Sequence, residues 1–369
     1  MANDRAFKVK NGILAQRYLQ TAGTETAGSD AYQVASATYE KRFSVGQNVR
    51  SATFNDDGTK MFVTSSLADT IREYTLGTAY DVSTASYVDE YTVQGTSVSA
   101  SHFRSDGLKF YTMDAVTDLV YQYSMSTAWD ISTSSYDSKS FSVVSQDTVT
   151  NGVYFKPDGT KMYVTGYDND SVYEYSLSTA WDVSTASYTT AFSTATQVLN
   201  PRGISFNAGG SEMYIGVGAA VYIYTLSTAW DVSTSSYVTS LTTNGANSAD
   251  IQFGNSGAVM IIADGTANAV DQYSTVLYSQ TLDLSTGTYF SFIPSGATTV
   301  SFTNPPASGL AIGFAVEING DGSVITWPAS VKWHEATAPT ATATKEIYTF
   351  ITTDGGTTYY GRKAGEDMQ

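Results

Sequence analysis

The chain has 369 residues, 42% of them hydrophobic, which is enough for two or three globular domains and excludes a disordered protein. Its formal net charge of −16 argues against binding to nucleic acid or to an anionic membrane surface, because both need clustered Lys and Arg. Cysteine is absent and there are two histidines, so we expect no disulfide, no thiolate chemistry, no multi-histidine metal site and no cofactor. No stretch approaches the 18 apolar residues of a membrane span, so we expect no membrane insertion.

Residues 1–29 are too few for a domain. FKVKNGILAQRYL (residues 7–19) alternates apolar positions around an Asn-Gly turn, which predicts an anchoring hairpin or arm that adds to a neighbouring subunit. A frayed terminus is the alternative. The start shows no charged segment followed by an apolar one, so we expect no signal peptide, and synthesis in a cytoplasm followed by release through lysis or in an assembly.

Two phrases alternate along residues 30–275. One occurs four times, as TAYDVSTASY (78–87), TAWDISTSSY (127–136), TAWDVSTASY (179–188) and TAWDVSTSSY (228–237), with a degenerate copy, DAYQVASATY, at 30–39. The other resembles FKPDGTKMYV (155–164), and its turn glycines recur every 47 to 52 residues, at Gly58, Gly107, Gly159, Gly210 and Gly257. A period near 50 indicates one repeated supersecondary unit.

Each unit predicts four antiparallel strands, A to D. In the third unit, strand A ends at Phe155, a tight turn with positive φ follows at Gly159, and strands B, C and D occupy residues 161–167, 171–178 and 187–193. Four strands in about 50 residues are typical of a β-propeller blade. Five A-B-C units precede only four D strands, and an unattached D strand follows the degenerate phrase near the N-terminus. We therefore expect a five-bladed β-propeller that this N-terminal strand closes, with an open stack of sheets as the rival.

The phrase F-x-P-D-G-T-K-M-Y-V resembles the repeat of TolB-type and YVTN-type β-propellers. The resemblance covers roughly residues 31–274. It implies the fold and says little about function, because propellers host many functions.

The repeated Trp-Asp-Val-Ser-Thr phrase has two interpretations. Trp could stack on a sugar and Asp with Ser could bind calcium, but recurrence in every unit favours a structural part. Asp before Ser-Thr suits a capped turn between strands C and D, and the aromatic residue would cover a neighbouring strand or blade at the rim. The Asp-Gly turns, residues 168–170 and residues 319–323 offer fewer ligands than a calcium loop needs, so we expect no metal site.

Candidate ligand-binding residues lie where the repeats differ, at the channel mouth where strand A begins. Four residues before the final Phe of strand A, the units carry Arg50, Ser99, Asn151, Arg202 and Ala249, with His102 and Asp250 nearby. The predicted ligand-binding set is Arg50, His102, Asn151, Arg202 and Asp250. A plain solvated rim is the alternative. No catalytic triad or carboxylate pair is evident, so we expect no catalytic residues.

Residues 276–369 have a separate strand-and-turn rhythm that predicts a small antiparallel β-sandwich. Four strings, LDLSTGTYFSF (282–292), FTNPPASG (302–309), TWPASVKW (326–333) and TTDGGTTYYGRKAGEDM (352–368), resemble a module near the C-terminus of tailed-phage virion proteins, especially fibre-like ones. FKVKNGILA (7–15) also resembles the start of phage structural proteins.

These resemblances imply a non-enzymatic bacteriophage structural protein on the virion surface: a tail fibre, spike or capsid decoration that binds a host-surface glycan or protein. They also imply contacts with other capsid or tail proteins through the N-terminal arm, and a homo-oligomer, with three-fold symmetry common among phage fibres. Two alternatives stay open. One is a purely structural cement protein of capsid or tail, and the other is a glycan-cleaving enzyme on the propeller scaffold.

Overall fold

A computed structural model describes residues 32–275, 278–294, 298–320, 325–334, 337–342 and 344–367, together with the backbone of four short strands before residue 28. The chain divides into two compact units, Ala31–Thr275 and a second that combines Met1–Asp30 with Val276–Gln369. Both are all-β, and the helices of the described residues are 3-10 turns of three residues each. None of them is long and apolar enough to cross a membrane.

The unit Ala31–Thr275 is a β-propeller with five four-stranded antiparallel blades, as the repeat predicts. Strand A of each blade lies beside strand A of the next, and strand A of blade 5 lies beside that of blade 1. In the order A to D, blade 1 contains Val49–Phe54, Lys60–Ser65, Thr70–Leu76 and Ala85–Thr92, and blade 2 contains Val98–Phe103, Lys109–Asp114, Leu119–Met125 and Ser134–Ser142. Blade 3 contains Thr150–Phe155, Lys161–Gly166, Ser171–Leu177 and Ala186–Ser193, and blade 4 contains Gly203–Phe206, Glu212–Val217, Ala220–Leu226 and Ser235–Thr242. Blade 5 contains Ser248–Gly254, Val259–Asp264, Ala269–Ser274 and Thr38–Ser44.

The phrase between strands C and D forms a capped 3-10 turn, which confirms its structural interpretation. In blade 3, Asp182 Oδ1 accepts hydrogen bonds from the Ser184 N–H and hydroxyl, and the Thr185 hydroxyl donates to the Asp182 carbonyl. The same capping recurs at Asp81, Asp130 and Asp231. The five turns are Val34–Ser36, Val82–Thr84, Ile131–Thr133, Val183–Thr185 and Val232–Thr234, and a sixth, Asn255–Gly257, lies between strands A and B of blade 5.

The aromatic residue of the phrase covers the A–B turn of its own blade, and it also packs against the preceding blade, as expected; the Trp181 indole lies 6.1 Å from the Tyr111 ring, nearly parallel. Trp181 has a left-handed φ of 65°, and its backbone N–H donates to the Gly159 carbonyl. Gly159 also has a positive φ, and an added Cβ there would overlap the indole of Trp181. A glycine is therefore required at the turn for both its backbone and its lack of a side chain. The same pairing joins Tyr32 to Gly257, Tyr80 to Gly58, Trp129 to Gly107 and Trp230 to Gly210.

Strand C of most blades binds the 3-10 turn of the next blade through a buried acceptor. Glu174 Oε2 accepts from the Val232 N–H, while its Oε1 pairs with Lys161, which also donates to the Trp230 carbonyl. Glu73, Gln122 and Gln272 make the equivalent bonds to Ile131, Val183 and Val82. Blade 4 carries Ile223 at this position, so its strand C contacts blade 5 through apolar packing there.

The outer strand of blade 5 comes from the N-terminal side of the unit. Thr38–Ser44 pairs antiparallel with Ala269–Ser274. Arg42 bonds both carboxylate oxygens of Asp271, at 2.6 and 2.7 Å, and Asp264 at 2.9 Å. Both carboxylates are buried, so Arg42 supplies the charge that burial there requires.

The second unit contains a six-stranded and a four-stranded sheet that share one apolar core. The six-stranded sheet has the order Leu19–Thr21, Tyr289–Phe292, Ile312–Asn319, Lys345–Thr352, Tyr359–Gly365 and Val331–Trp333; the four-stranded sheet has the order Ile325–Thr326, Thr298–Thr303, Tyr278–Asp283 and Thr26–Ala27.

The expectation of an antiparallel arrangement holds for only part of this unit, in which Lys345–Thr352 pairs antiparallel with both of its neighbours. Tyr278–Asp283 pairs parallel with Thr298–Thr303, and Tyr289–Phe292 pairs parallel with Ile312–Asn319. From Tyr278 to Trp333, successive strands alternate between the two sheets, so strands two apart become neighbours and run in the same direction. Parallel pairing follows from that alternation, because the connection must cross over the other sheet.

Most of the predicted N-terminal arm, residues 1–29, lies outside the described residues. Its described strands include Phe7–Lys8 and Leu14–Ala15, which pair with each other. Leu19–Thr21 is an edge strand of the six-stranded sheet, and Thr26–Ala27 is an edge strand of the four-stranded sheet. The contact with a neighbouring subunit stays a prediction.

Two adjacent glycines in blade 4 test how far the aromatic residue that covers the A–B turn, here called the aromatic lid, stabilises the blade. Gly210→Ala should lower the free energy of unfolding by at least about 2 kcal/mol, because left-handed backbone costs Ala about 1–2 kcal/mol and the new Cβ displaces Trp230. Gly209→Ala should be neutral or slightly stabilising, since an added Cβ there meets nothing within 4 Å. Urea unfolding of both variants measures the difference, and equal stabilities would contradict the role of the lid.

Candidate functional site

The structure separates the predicted ligand-binding residues into three groups. Arg50, Asn151 and Arg202 lie where strand A begins, which we call the start mouth. His102 lies one residue before the end of strand A, at the other end of the channel. Asp250 lies between the two levels and is buried. The expectation of one site at one mouth is therefore wrong, because three residues of extended strand span roughly 10 Å.

A cavity of about 220 Å³ lies at the end of the A strands, and we call it the end cavity. Its walls are residues that end strand A, residues of the A–B turns and two indoles of the repeated phrase. They comprise Thr53, Phe54, Asp56, His102, Phe103, Ser105, Trp129, Tyr154, Phe155, Pro157, Trp181, Gln252 and Phe253. Blades 1, 2, 3 and 5 thus contribute to a single concave surface that is largely aromatic.

His102 packs among aromatic rings in this cavity. Its ring lies 4.8 Å from Tyr154, edge-on, and 6.4 Å from Trp181, nearly parallel. Burial lowers the pKa of His102 to about 3, so the imidazole is neutral at physiological pH. Neutral imidazole carries one hydrogen-bond donor and one acceptor, and neither has a protein partner among the described residues.

Tyr154 is the second polar group of the end cavity. Its ring packs against Phe206 at 5.2 Å and lies nearly parallel to Trp230 at 6.4 Å. Burial raises the pKa of Tyr154, so the phenol keeps its proton. Within the described part of the chain, its hydroxyl forms no hydrogen bond. His102 and Tyr154 are half-buried and line the end cavity, so their polar atoms are available to water or a ligand there.

Asp250 is a buried carboxyl beneath the end cavity. Gln252 Nε2, whose residue lines the cavity, donates to its Oδ2 at 3.4 Å. Burial raises the pKa of Asp250 well above its ordinary value, against the hydrogen bonds of the Ile251 and Ile204 N–H groups and of Gln252. The protonated form is therefore favoured, and it could donate a proton or a hydrogen bond within the channel.

A wider groove of about 560 Å³ lies on the second unit, along Lys332, Trp333, Tyr360 and Arg362. Tyr360 is exposed there. The end cavity is the better candidate site, because its polar groups lack partners and aromatic rings surround them. No group of three or more His, Asp or Glu residues in the described ranges could hold a metal ion.

Sequence reasoning found His102 but missed Tyr154, Gln252 and the indoles of Trp129 and Trp181 as its neighbours. Tyr154 and Gln252 occupy the same position as His102, one residue before the final Phe, where the units also differ from one another. Variation at this second position was the available signal.

Asp250→Asn should stabilise the protein at neutral pH. The Asp250 carboxyl keeps its proton in the native state, whereas it releases that proton in the unfolded chain above about pH 4. The free energy of unfolding of the wild type therefore falls as the pH rises above about 4. The amide that replaces this carboxyl in the variant does not titrate. The gain in Tm over the wild type should therefore be larger at pH 7.5 than at pH 4.

Asp158→Asn is the control of opposite sign. Burial raises the pKa of Asp158, but hydrogen bonds from Lys156 and Thr160 outweigh it and lower the pKa to about 2. This variant should lose a little stability at pH 7.5. Calorimetry at both pH values measures both variants, and a destabilised Asp250→Asn at pH 7.5 would contradict a protonated Asp250.

No family model matches the chain, and no curated protein matches it. Among solved structures, it is similar to a functionally unknown protein from Desulfotomaculum acetoxidans, with a TM-score of 0.41, 13% identity and coverage of 60% of this chain and 80% of that one. It is also similar to a protein from Bacteroides uniformis provisionally named 6-phosphogluconolactonase (TM-score 0.40, 12% identity, 59% and 64%) and to one from Lactobacillus plantarum (0.41, 13%, 57% and 62%). The matched region spans less than two thirds of the latter two proteins. At these scores the likenesses carry no function to this chain.

Proposed function

We propose that the protein is a non-enzymatic bacteriophage virion surface protein whose propeller binds a host-surface glycan in the end cavity. The observation that carries the binding role is the pair of polar side chains, His102 and Tyr154, that enter an aromatic cavity without protein partners. A tail fibre, a spike or a head decoration would each present such a cavity to the host.

The chemistry of the end cavity suits a sugar. Sugar rings have apolar faces that stack on aromatic side chains and hydroxyls that need donors and acceptors at the edges. Trp129 and Trp181 supply aromatic surface, while neutral His102, Tyr154 and Gln252 supply hydrogen bonds. The volume of 220 Å³ is below the roughly 300–1,000 Å³ of drug-sized pockets, so it suits one sugar residue of a longer chain.

The virion role is supported by the resemblance of residues 282–368 to the phage module. Trp327, within the TWPASVKW string, belongs to the buried core of the second unit, and Trp333 packs against it. The string that carries the resemblance is therefore part of the packing of that unit. With this role we propose a homo-oligomer, of which a trimer is one form, and contacts of the N-terminal arm with capsid or tail proteins.

Two finer points of architecture belong to the same proposal. We propose that Thr38–Ser44 closes the propeller as the last strand of blade 5, supported by its pairing with Ala269–Ser274. We also propose that the two sheets of the second unit form a small sandwich over their shared core.

The location on the virion is tested with purified particles of the encoding phage. Cryo-electron microscopy should show the protein on the exterior, and antibodies against it should label intact particles. Absence from purified particles would contradict the proposal. If deletion weakens particles and leaves adsorption to the host unchanged, the protein is a cement and not an adhesin.

The sugar site is tested by two substitutions. Tyr154→Phe and His102→Leu should each weaken binding of an oligosaccharide selected from an array of bacterial surface glycans by about tenfold, the value of one hydrogen bond of about 1.4 kcal/mol. Tyr154→Phe should leave Tm unchanged, because the hydroxyl bonds to no described protein group. Titration calorimetry measures the affinities.

Tyr188→Phe is the matched control, since Tyr188 is exposed on the outer strand of blade 3. It should bind like the wild type. Absence of any array signal, or an affinity unchanged by both cavity variants, would exclude the end cavity as the glycan site.

Asp250 supports a second candidate function, glycan cleavage. A protonated carboxyl in the channel could serve as general acid, and Asp56 lines the cavity as a possible second carboxylate. Incubation with envelope polysaccharide should then release new reducing ends, and Asp250→Asn should abolish that release. A substrate that is bound without release of reducing ends identifies a binding protein.

A further inference from the structure

The propeller pairs its cations with acids almost completely. Its described residues 32–275 include eleven Lys and Arg residues, of which nine form ion pairs with Asp or Glu. The two that form none with any described acid are Arg50 and Arg202. In a chain with net charge −16, cations without acidic partners are unexpected, since acidic side chains outnumber basic ones almost twofold.

Both arginines occupy the same position of the repeat, at the start mouth. In blade 1 this position is a β-bulge, because Val49 pairs with Ser65 and Ser51 with Thr64, which leaves Arg50 between them unpaired. Similar register shifts interrupt strand A of blades 2, 3 and 5. Bulges redirect side chains and are frequent beside functional sites.

Neutral groups hold the two guanidinium groups in place. Arg50 Nε donates to Ser66 Oγ at 2.8 Å, which leaves its terminal nitrogens without an acceptor among the described residues. The Arg202 guanidinium lies over the Tyr167 ring at 5.5 Å. The backbone of Arg202 is also fixed, because its carbonyl accepts a hydrogen bond from Thr165 Oγ1 at 2.5 Å. Each arginine is thus positioned while most of its donors stay free.

The two charges also affect each other. Burial lowers the pKa of Arg50, and the positive charge of Arg202 lowers it further. Two like charges in one half-buried mouth repel each other, and an anion bound between them would replace this repulsion with two attractions. Asn151, at the same level of blade 3, adds a neutral amide to the mouth.

We propose that the start mouth is an oxyanion site in which Arg50 and Arg202 together bind a carboxylate or phosphate group of a small ligand such as an acidic or phosphorylated sugar. Guanidinium groups bind both oxyanions through paired N–H donors. The site is independent of the end cavity, since the two lie at opposite ends of the A strands. Failure of the glycan proposal would therefore leave the oxyanion proposal intact, and the reverse also holds.

Calorimetric titration of the full chain at low salt tests the site with inorganic phosphate, glucuronate and glucose. We expect binding of phosphate, glucuronate or both, and none of neutral glucose. A preference for phosphate over glucuronate, or the reverse, identifies which oxyanion the site takes. Absence of binding by both anions would overturn the proposal.

Substitutions locate the binding. Arg50→Gln and Arg202→Gln should each weaken anion binding at least tenfold, and the double variant should show none. Arg104→Gln is the matched control, because it removes the same charge from a surface arginine that is paired with Asp106. Equal weakening in all three variants, or in none, would overturn the assignment to the start mouth.

Thermal unfolding gives a second readout that shows whether the variants fold. The preferred anion should raise the Tm of the wild type and of Arg104→Gln, and leave that of the double variant unchanged. Without anion, the double variant should still melt in one cooperative transition, which shows that it folds. A double variant that the anion still stabilises would contradict the site. Arg50→Lys and Arg202→Lys, which keep the charge and lose the paired donors, should bind with intermediate affinity.

Discussion

The propeller depends on the contact between an aromatic residue in left-handed conformation and a glycine. Trp181 places its indole over Gly159 and binds its carbonyl, and four further blades repeat this arrangement. A left-handed φ at a bulky residue costs about 1–2 kcal/mol, so the surrounding contacts must exceed that cost in every blade. The capped 3-10 turn that follows presents an N–H to the preceding blade, which links the internal order of a blade to its position among the others.

This division of roles explains where function can be located. The phrase, the turns and strands B and C carry the contacts within and between blades, so their residues repeat. Strand A also packs apolar side chains into the cores of the propeller, including its final Phe, and small hydroxyl groups join neighbouring A strands, such as Ser51 and Ser101 at 2.9 Å from each other. The positions that differ between blades lie near its two ends, with His102 and Tyr154 before the final Phe and Arg50 and Arg202 at the start.

Much of the fold could be predicted because the unit repeats. Glycine spacing and alternation located strands A to D of blade 3 to within one residue, and the Asp of the phrase indicated its capped turn. The site was less predictable. His102 and Arg50 are both near strand A in sequence, but only the direction of the strand assigns them to opposite ends of the channel. The burial of Asp250 depends on the close approach of the neighbouring Gly203, which alternation within a single strand cannot show. The parallel pairs of the second unit depend on which sheet each strand joins, and local patterns do not encode that choice.

The apolar contact that strand C of blade 4 makes with blade 5 has a consequence for assembly. Blade 5 combines strands from the two ends of the propeller segment, so it cannot form until the whole segment has been synthesised. Its boundary with blade 4 is made by Ile223, Ile251 and Tyr214, and the hydroxyl of Tyr214 turns back to Glu212 of its own blade. Contacts of this kind tolerate small errors of angle and register, whereas buried hydrogen bonds do not. The boundary that lacks the hydrogen bond between strand C and the next 3-10 turn is therefore the one at which the outer part of a late-forming blade can first dock and then adjust.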